Sequence, residues 1–482
     1  LLLPLRDQRN PGRMQKNQRR QRPLLRERDE RVPVSRPPGK TPAQTIEPML
    51  NGCAPVLLAL SFTQFFADRI MALIVQKYGG TSVGSTDKIK AVAQRVIKNH
   101  MQGNRMVVVL SAMSGETDRL TGLANAIQRI PDSREMDMLL ATGEQVTVAL
   151  FAMAVKEAGC DAISLLGDQV AIHTDNMHTK ARIESIDAEL INKYLDQGKI
   201  VTIAGFQGVT DRGDITTLGR GGSDTTAVAL AAAMQADACE IFTDVEGVYT
   251  TDPNICPQAR KIDRISYDEM LELASLGAKV LDIRSVGLAK RYSVPVHVRS
   301  TFSENIGTWV VEEDKIMESM LVSGITYSKK EARITIKKVP DQPGVAAKIF
   351  LPISDAGILV DMIIQNTHDG KLTDMTFTVP RTDYDKAMDI LKKVAVDISA
   401  EAVTGDKDIA KVSIVGVGMR NHPGIASTMF QILAKEGINM MMVSTSEIKV
   451  SCIIAEKYTE LAVRALHDAF ALDKDNMPLE EA

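Results

Sequence analysis

Apolar positions in the first half of the folded region fall into short runs separated by longer amphipathic stretches. Residues 72–77 (ALIVQK) read as a buried strand, residues 89–101 carry helical spacing, and residues 105–110 (RMVVVL) are again almost wholly apolar. A long helical stretch near 137–158 follows, then short strands at 162–166 and 200–204. A helix capped by Ser223 or Asp224 runs to about Ala236, a strand covers 239–243, and a helix covers 267–276. The alternation ends near Trp309. Continuous apolar strands alternating with amphipathic helices predict an α/β fold, with a parallel sheet covered on both faces.

After Met317 the pattern changes. Residues 332–338 (ARITIKK) alternate as a strand with one solvated face, and two similar segments then follow 80 residues apart. Pro343 matches Pro423, Gly344 matches Gly424, Phe350 matches Phe430, Gly357 matches Gly437 and Met362 matches Met442. Each copy reads as strand, Pro-Gly, helix, Gly, strand, with residues 373–379 and 449–455 as hairpin partners and residues 461–470 as a closing helix. This is an internal repeat of a small α+β unit of βαββαβ type. The predicted division is 1–70, 71–315, 316–400 and 401–482.

Composition changes the picture mainly at the N-terminus. The first 70 residues hold nine of the 19 prolines and an excess of Lys and Arg, whereas the remainder is net acidic. Such a segment cannot bury enough apolar surface to fold, so it is expected to be disordered or a non-native extension. Its apolar run at 54–67 is too short and too interrupted to span a membrane. A net charge of −4 over 482 residues gives no electrostatic footprint for nucleic acid. Cys53, Cys160, Cys239, Cys256 and Cys452 form no CxxC pair and no zinc spacing, which points to reduced thiols in a cytoplasmic protein with no metal site of its own. His173 and His178 lie in a loop-like stretch and read as bland.

Candidate chemistry lies in four loops that follow strands: KYGGTSVG (77–84), SAMSGETDRL (111–120), AGFQGVTDRGDITTLGRGGSDTT (204–226) and TDVEGVYTTDP (243–253). Open α/β sheets bind ligands at such carboxyl ends. The first loop nearly spells a Walker A motif, but Ser85 stands where the lysine belongs and the lysine comes earlier, at Lys77. A lysine at a strand end can still reach a phosphate over the backbone of Gly79 and Gly80. The third loop combines Arg220, whose planar fork suits a carboxylate or phosphate, with glycines and a helix N-terminus.

Taken together and in order, KYGGTSV, SAMSG, Gly143-Glu144, GFQG, TTLGRGGSDTTA and TDVEGVYTTDP resemble aspartokinases of the amino-acid kinase family, from Met71 to the C-terminus. The resemblance implies an amino-acid kinase fold followed by two ACT domains. It implies transfer of a phosphoryl group from ATP, with Mg2+, to the β-carboxylate of L-aspartate. The C-terminal half is most similar to that of the monofunctional bacterial form regulated by lysine and threonine. By the same resemblance Lys77, Arg220 and Asp224 are catalytic. Ser111, Thr117, Glu144, Phe206, Arg220 and Ser223 would hold aspartate, with Glu144 on the ammonium and Arg220 on the α-carboxylate. Lys77, Gly79, Gly80, Thr243, Asp244, Tyr249, Arg260 and Lys279 would hold the nucleotide. Asn254 departs from the family pattern, in which an arginine often follows the TDP turn.

The repeat implies effector binding at Asp355, Gly357, Ile358, Gln365 and Asn366, and at Asn439, Thr445 and Ser446 in the second copy. The resemblance further implies a homo-oligomer formed through the ACT domains, and admits an internally initiated regulatory subunit. Neither a nucleic-acid nor a membrane partner is expected. Two rival readings remain at this point: a related kinase for glutamate or a nucleotide, and a catalytically silent amino-acid sensor. A dinucleotide oxidoreductase is disfavoured, because no Rossmann fingerprint follows any strand.

Overall fold

The computed structural model describes residues 71–276, 280–313, 321–368, 372–422 and 424–474. The extension over 1–70, Lys279 and Pro423 lie outside these residues.

The elements run in this order: β1 (Leu73–Tyr78), α1 (Thr86–Met101), β2 (Arg105–Leu110), α2 (Glu116–Ile127), α3 (Ser133–Glu157), β3 (Ala162–Leu165), β4 (Ile172–Thr174), β5 (Ile183–Ile186), α4 (Glu189–Leu195), β6 (Ile200–Ala204), β7 (Gln207–Val209) and β8 (Ile215–Thr217). Next come α5 (Gly222–Ala233), β9 (Ala238–Thr243), β10 (Arg264–Ser266), α6 (Tyr267–Leu276), α7 (Ile283–Tyr292), β11 (Val296–Ser300) and β12 (Thr308–Val311). The C-terminal half has β13 (Gly324–Ser328), β14 (Glu331–Pro340), α8 (Val345–Asp355), β15 (Asp361–His368), β16 (Leu372–Pro380), α9 (Tyr384–Asp397) and β17 (Ala402–Asp406). It closes with β18 (Ile409–Val415), α10 (Ile425–Lys435), β19 (Met442–Thr445), β20 (Lys449–Ala455) and α11 (Thr459–Ala469).

The main sheet has the order β10-β12-β11-β9-β1-β2-β6-β3. Its neighbours are parallel except β11 and β12, which are antiparallel, so the expected parallel sheet is a mixed one. A gap of seven residues between these two strands allows only a direct return, which has to be antiparallel. β1 is central, and the chain builds outward from it in both directions. The loops after β1, β2, β6 and β9 therefore open at the switch point where such sheets bind ligands.

Helices cover both faces. α1 turns Ile89, Val92, Ala93, Val96 and Ile97 inward, an i, i+3, i+4, i+7, i+8 stripe, and Ser85 caps it by accepting from the Lys88 N–H. α3 is long and apolar enough to cross a membrane by composition, but it packs on α1, β3 and β6. On the opposite face α5 is buried at every residue from Gly222 to Ala231, between the sheet and α7. A second, small sheet, β5-β4-β7-β8, takes two of its strands, β7 and β8, from within the third loop. His173 is on β4, not in a loop.

The repeat folds into two four-stranded antiparallel sheets, β15-β16-β14-β17 and β13-β18-β20-β19. β13 precedes the first copy in the chain but pairs with β18 of the second. It thereby supplies the edge that β17 supplies beside β14. A division at 400/401 leaves β13 on the wrong side of the sheet it completes. The same strand joins the sheet of the second repeat to the N-terminal half: the Ile325 N–H donates to the Thr250 carbonyl at 2.7 Å, and the Tyr327 hydroxyl donates to Asp252 at 3.1 Å. Buried Glu269 accepts from the Ser323 hydroxyl and from the Val417 N–H.

Candidate functional site

Lys77 sits near the carboxyl end of β1, between Gln76 and Tyr78, whose side chains are fully buried on the other face of the sheet. Strand alternation therefore sends its amine toward α5. There Nζ lies 2.6 Å from Oδ1 of Asp224, both side chains being about one-eighth exposed. The two form a close, mostly buried ion pair. Asp224 is not a cap, as the sequence had predicted for Ser223 or Asp224. The N-cap is Gly221 at φ +68°, which moves Ser223 and Asp224 into the first turn. A side chain at Gly221 would also strike Asp282, its Cβ falling 2.3 Å from the Asp282 Cβ. Burial, and then the nearby Asp224 charge, push the Asp282 carboxyl up from its ordinary value.

Lys77 and Asp224 form one wall of a cleft of about 390 Å³ that also takes in Gly79, Gly80, Ser111, Thr117, Glu144, Phe206, Arg220 and Ser223. Every residue expected to hold the substrate is in it. Its floor is kept open by small residues: a Cβ on Gly80 would come within 2.9 Å of the Ala112 carbonyl, and one on Gly205 within 2.8 Å of Ser223. Phe206 holds φ +69°, an unusual backbone for a bulky residue, and its N–H donates to the Thr226 hydroxyl at 3.1 Å. The N-termini of α2 and α5 both border the cleft, through Gly115–Thr117 and Gly222–Asp224, and favour an anion there.

Glu144 is in mid-helix, because α3 begins at Ser133; a first-turn role for its carboxylate is excluded. Its Oε1 accepts from the Ala112 N–H at 3.0 Å, while Oε2 is buried with no partner. Desolvation by burial pushes its carboxyl up to about 7, against the lowering effect of the Ala112 N–H. A buried carboxylate oxygen without a donor is a place for a ligand cation. Arg220 is exposed on the opposite rim and makes no ion pair among the described residues.

Of the expected nucleotide-side residues, Lys77, Gly79 and Gly80 line this cleft, whereas Thr243, Asp244, Tyr249 and Arg260 do not. Thr243 ends β9 and its hydroxyl donates to the Asp244 carboxylate at 3.2 Å, Tyr249 pairs with Lys261, and the Arg260 N–H donates to the Thr250 hydroxyl at 3.0 Å. The carboxyl end of β9 lies beside that of β1, tied to it by the Gly79 N–H donating to the Phe242 carbonyl at 3.4 Å. Asp252 accepts from the backbone and side chain of Asn254, so this asparagine closes the TDP turn.

Of the expected effector residues, Gln365 lines a second cleft of about 340 Å³ with the 339–346 turn, Thr373 and Met375. The others do not line it. Asp355 and Gly357 are at the far end of α8, where Gly357 at φ +73° closes the helix: its N–H donates to the Ser354 carbonyl and the Ile358 N–H to the Ile353 carbonyl. Ile358 is core rather than contact surface. Asn366 pairs along β15, Asn439 is exposed, Thr445 ends β19, and the Ser446 N–H donates to the Lys449 carbonyl in the hairpin turn.

The sequence reading missed Asp137, Thr217, Arg284 and the partner role of His178. The available signal was the seven-residue spacing of Asp137 and Glu144, which places two acids on one face of an apolar helix.

Comparison with known proteins places the two halves of the chain in known families. The amino acid kinase family model matches residues 72–300, and ACT domain models match residues 333–396 and 412–470. The aspartokinase of Pseudomonas aeruginosa is 58% identical over 405 residues, covering 84% of this chain and 98% of that protein. The chain belongs to the aspartokinase family. Two solved structures of one aspartokinase share its fold. E. coli aspartokinase III in complex with aspartate and ADP (R-state) superposes with a TM-score of 0.69 at 25% identity, covering 82% of this chain and 99% of that one. The same enzyme in complex with lysine and aspartate (T-state) gives 0.66 at 26%, covering 83% and 99%. Aspartokinase architecture accounts for the kinase half and the duplicated regulatory half together.

Proposed function

We propose that this aspartokinase transfers the γ-phosphoryl group of ATP to the β-carboxylate of L-aspartate, giving 4-phospho-L-aspartate. This is the first step toward lysine, threonine and methionine, and it is feedback regulated. The observation that carries the reading is the 390 Å³ cleft, which sets a cation pointing inward (Lys77), an unpartnered buried carboxylate oxygen (Glu144) and an unpaired guanidinium (Arg220) around one amino-acid-sized space.

The attacking carboxylate is already ionised at neutral pH, so no general base is needed. The obstacle is repulsion between that anion and the triphosphate. Lys77 and the α2 and α5 N-termini offset it by placing positive potential where charge develops on the transferring group. Glu144 receives the substrate ammonium and Arg220 the α-carboxylate, which leaves the β-carboxylate facing Lys77. The shelf after β9, with Thr243, Asp244, Tyr249 and Arg260, takes the nucleotide. Mg2+, when bound, neutralises charge on the phosphates. Among the described residues no group of three or more His, Cys, Asp or Glu gathers. An ion held mainly by phosphate and water would have Asp224, beside Lys77, as its carboxylate on the cleft wall.

ATP and aspartate with hydroxylamine should give aspartyl hydroxamate; a related kinase would instead prefer glutamate or a nucleotide, and a silent sensor would give nothing. At subsaturating aspartate, lysine, threonine or both should slow the same reaction, acting through the regulatory domains by which two chains pair in the cytoplasm. No change with any combination would remove these effectors.

The state of Glu144 gives a pH prediction. Its carboxyl lies near 7 in the free protein, and a bound ammonium favours the ionised form. Aspartate binding below about pH 7 therefore releases a proton, so the aspartate KM should rise as pH falls below 7, by up to about tenfold per unit. Folding has the opposite sign: the raised carboxyl contributes stability that is full below the unfolded value and is lost as pH rises through about 7. Glu144→Gln should raise the aspartate KM and flatten its pH profile between 6 and 8.5; an unchanged slope in that variant would assign the titration to another group.

A further inference from the structure

The loop that carries Arg220 is held from below by a carboxylate outside the cleft. Asp137 is fully buried on α3, two turns before Glu144 and on the same face. Its Oδ1 accepts from the Thr217 hydroxyl at 2.5 Å and from the Thr179 N–H at 3.0 Å, and its Oδ2 accepts from His178 Nδ1 at 2.8 Å and from the same Thr179 N–H at 3.0 Å. Thr217 is the last residue of β8, three before Arg220. Its carbonyl accepts from the Ala181 N–H at 3.0 Å, so the 178–181 segment and the Arg220 loop are tied to each other as well as to Asp137. Arg284 completes the clamp from α7, donating to the Leu218 carbonyl at 2.5 Å and the Ala181 carbonyl at 2.9 Å. Gly219, at φ +77°, passes so close to the Thr179 carbonyl that a Cβ there would lie 3.1 Å from it.

One rigid helix thus holds the group that reads the substrate ammonium and anchors the loop that reads its α-carboxylate. We propose that Asp137 is a positioning residue which, through Thr217, fixes the distance between Glu144 and Arg220 and so sets selectivity for a free α-carboxylate. A buried carboxylate held by three donors, one of them shared between its two oxygens, in a low-dielectric site is a stiff anchor. A displacement of about an ångström at a clamp is enough to change discrimination by one to two orders of magnitude.

This inference rests on the proposed role of Arg220, and the experiment separates the two. Hydroxamate formation is measured for L-aspartate, for L-aspartate α-amide, which lacks the α-carboxylate charge, and for succinate, which lacks the ammonium. The variants are Asp137→Asn, Thr217→Val, Thr217→Ser and Arg220→Ala. Thr217→Val removes one bond without unburying a charge, so it reports even if Asp137→Asn fails to fold. The expected result is that Thr217→Val lowers the aspartate-to-α-amide ratio of kcat/KM about tenfold and leaves the aspartate-to-succinate ratio and the ATP KM unchanged. Thr217→Ser should restore the parent ratio. If Arg220→Ala lowers the α-amide ratio but Thr217→Val does not, or lowers all three substrates equally, positioning by Asp137 is overturned while the reading of Arg220 stands. If Arg220→Ala itself leaves the ratio intact, both fall together.

Discussion

Lys77→Ala is expected to yield a folded protein that has lost kinase activity by about 10³-fold or more, a loss of roughly 4 kcal/mol of transition-state stabilisation at about 1.4 kcal/mol per tenfold. Among the described residues that line the cleft, Lys77 is the side-chain cation supplied by β1, and it is held against Asp224 at the cleft wall. Its ion pair with Asp224 fixes the amine in place before substrate arrives, so little reorganisation is left for the chemical step. Removing it also leaves Asp224 mostly buried without its counter-charge, which should cost about 1–3 kcal/mol of stability, less than a fully buried pair would because both groups touch solvent. The two effects separate in Lys77→Ala/Asp224→Asn, which should regain melting temperature but not turnover. Near-normal turnover in folded Lys77→Ala would take the lysine out of the mechanism.

The second large effect is expected at Arg220. Truncation to Ala should raise the aspartate KM about 10²-fold or more while the ATP KM stays within about twofold, because a charged, bidentate contact to one substrate is worth about 2–5 kcal/mol and the nucleotide shelf is built from other loops. Arg220 forms no internal ion pair among the described residues, so the variant should melt close to the parent. Initial-rate measurements with each substrate varied in turn decide the matter. A parallel rise in both KM values would mean that Arg220 acts on the loop as a whole and not on aspartate.

Aspartokinase membership was legible because its marks are local. The Lys77 strand end, the paired glycines, the TTLGRGGSD loop and the Pro-Gly starts of the two repeats each declare themselves within about ten residues. Most residues of the cleft were legible for the same reason, since they lie at or just after a strand whose apolar run ends abruptly; Glu144, in the middle of α3, is the exception. Effector residues were less so: Gly357 and Gly437 stand out in the repeat, yet both sit at positive φ where a helix ends, which is a sufficient reason for glycine.

By itself, then, the sequence determined the α/β kinase half, the duplicated α+β half and the identity of the loops at the strand ends, all of which follow from short-range periodicity and turn chemistry. Tertiary structure alone decided which partners these pieces find. It set the antiparallel return of β12, the pairing of β13 with the second repeat, Gly221 as cap in place of Ser223 or Asp224, and the burial that raises the Glu144 carboxyl. It also set the clamp of Asp137 on Thr217, 80 residues apart in the chain. Contacts at such separations depend on how layers stack and leave no period in the residues that make them.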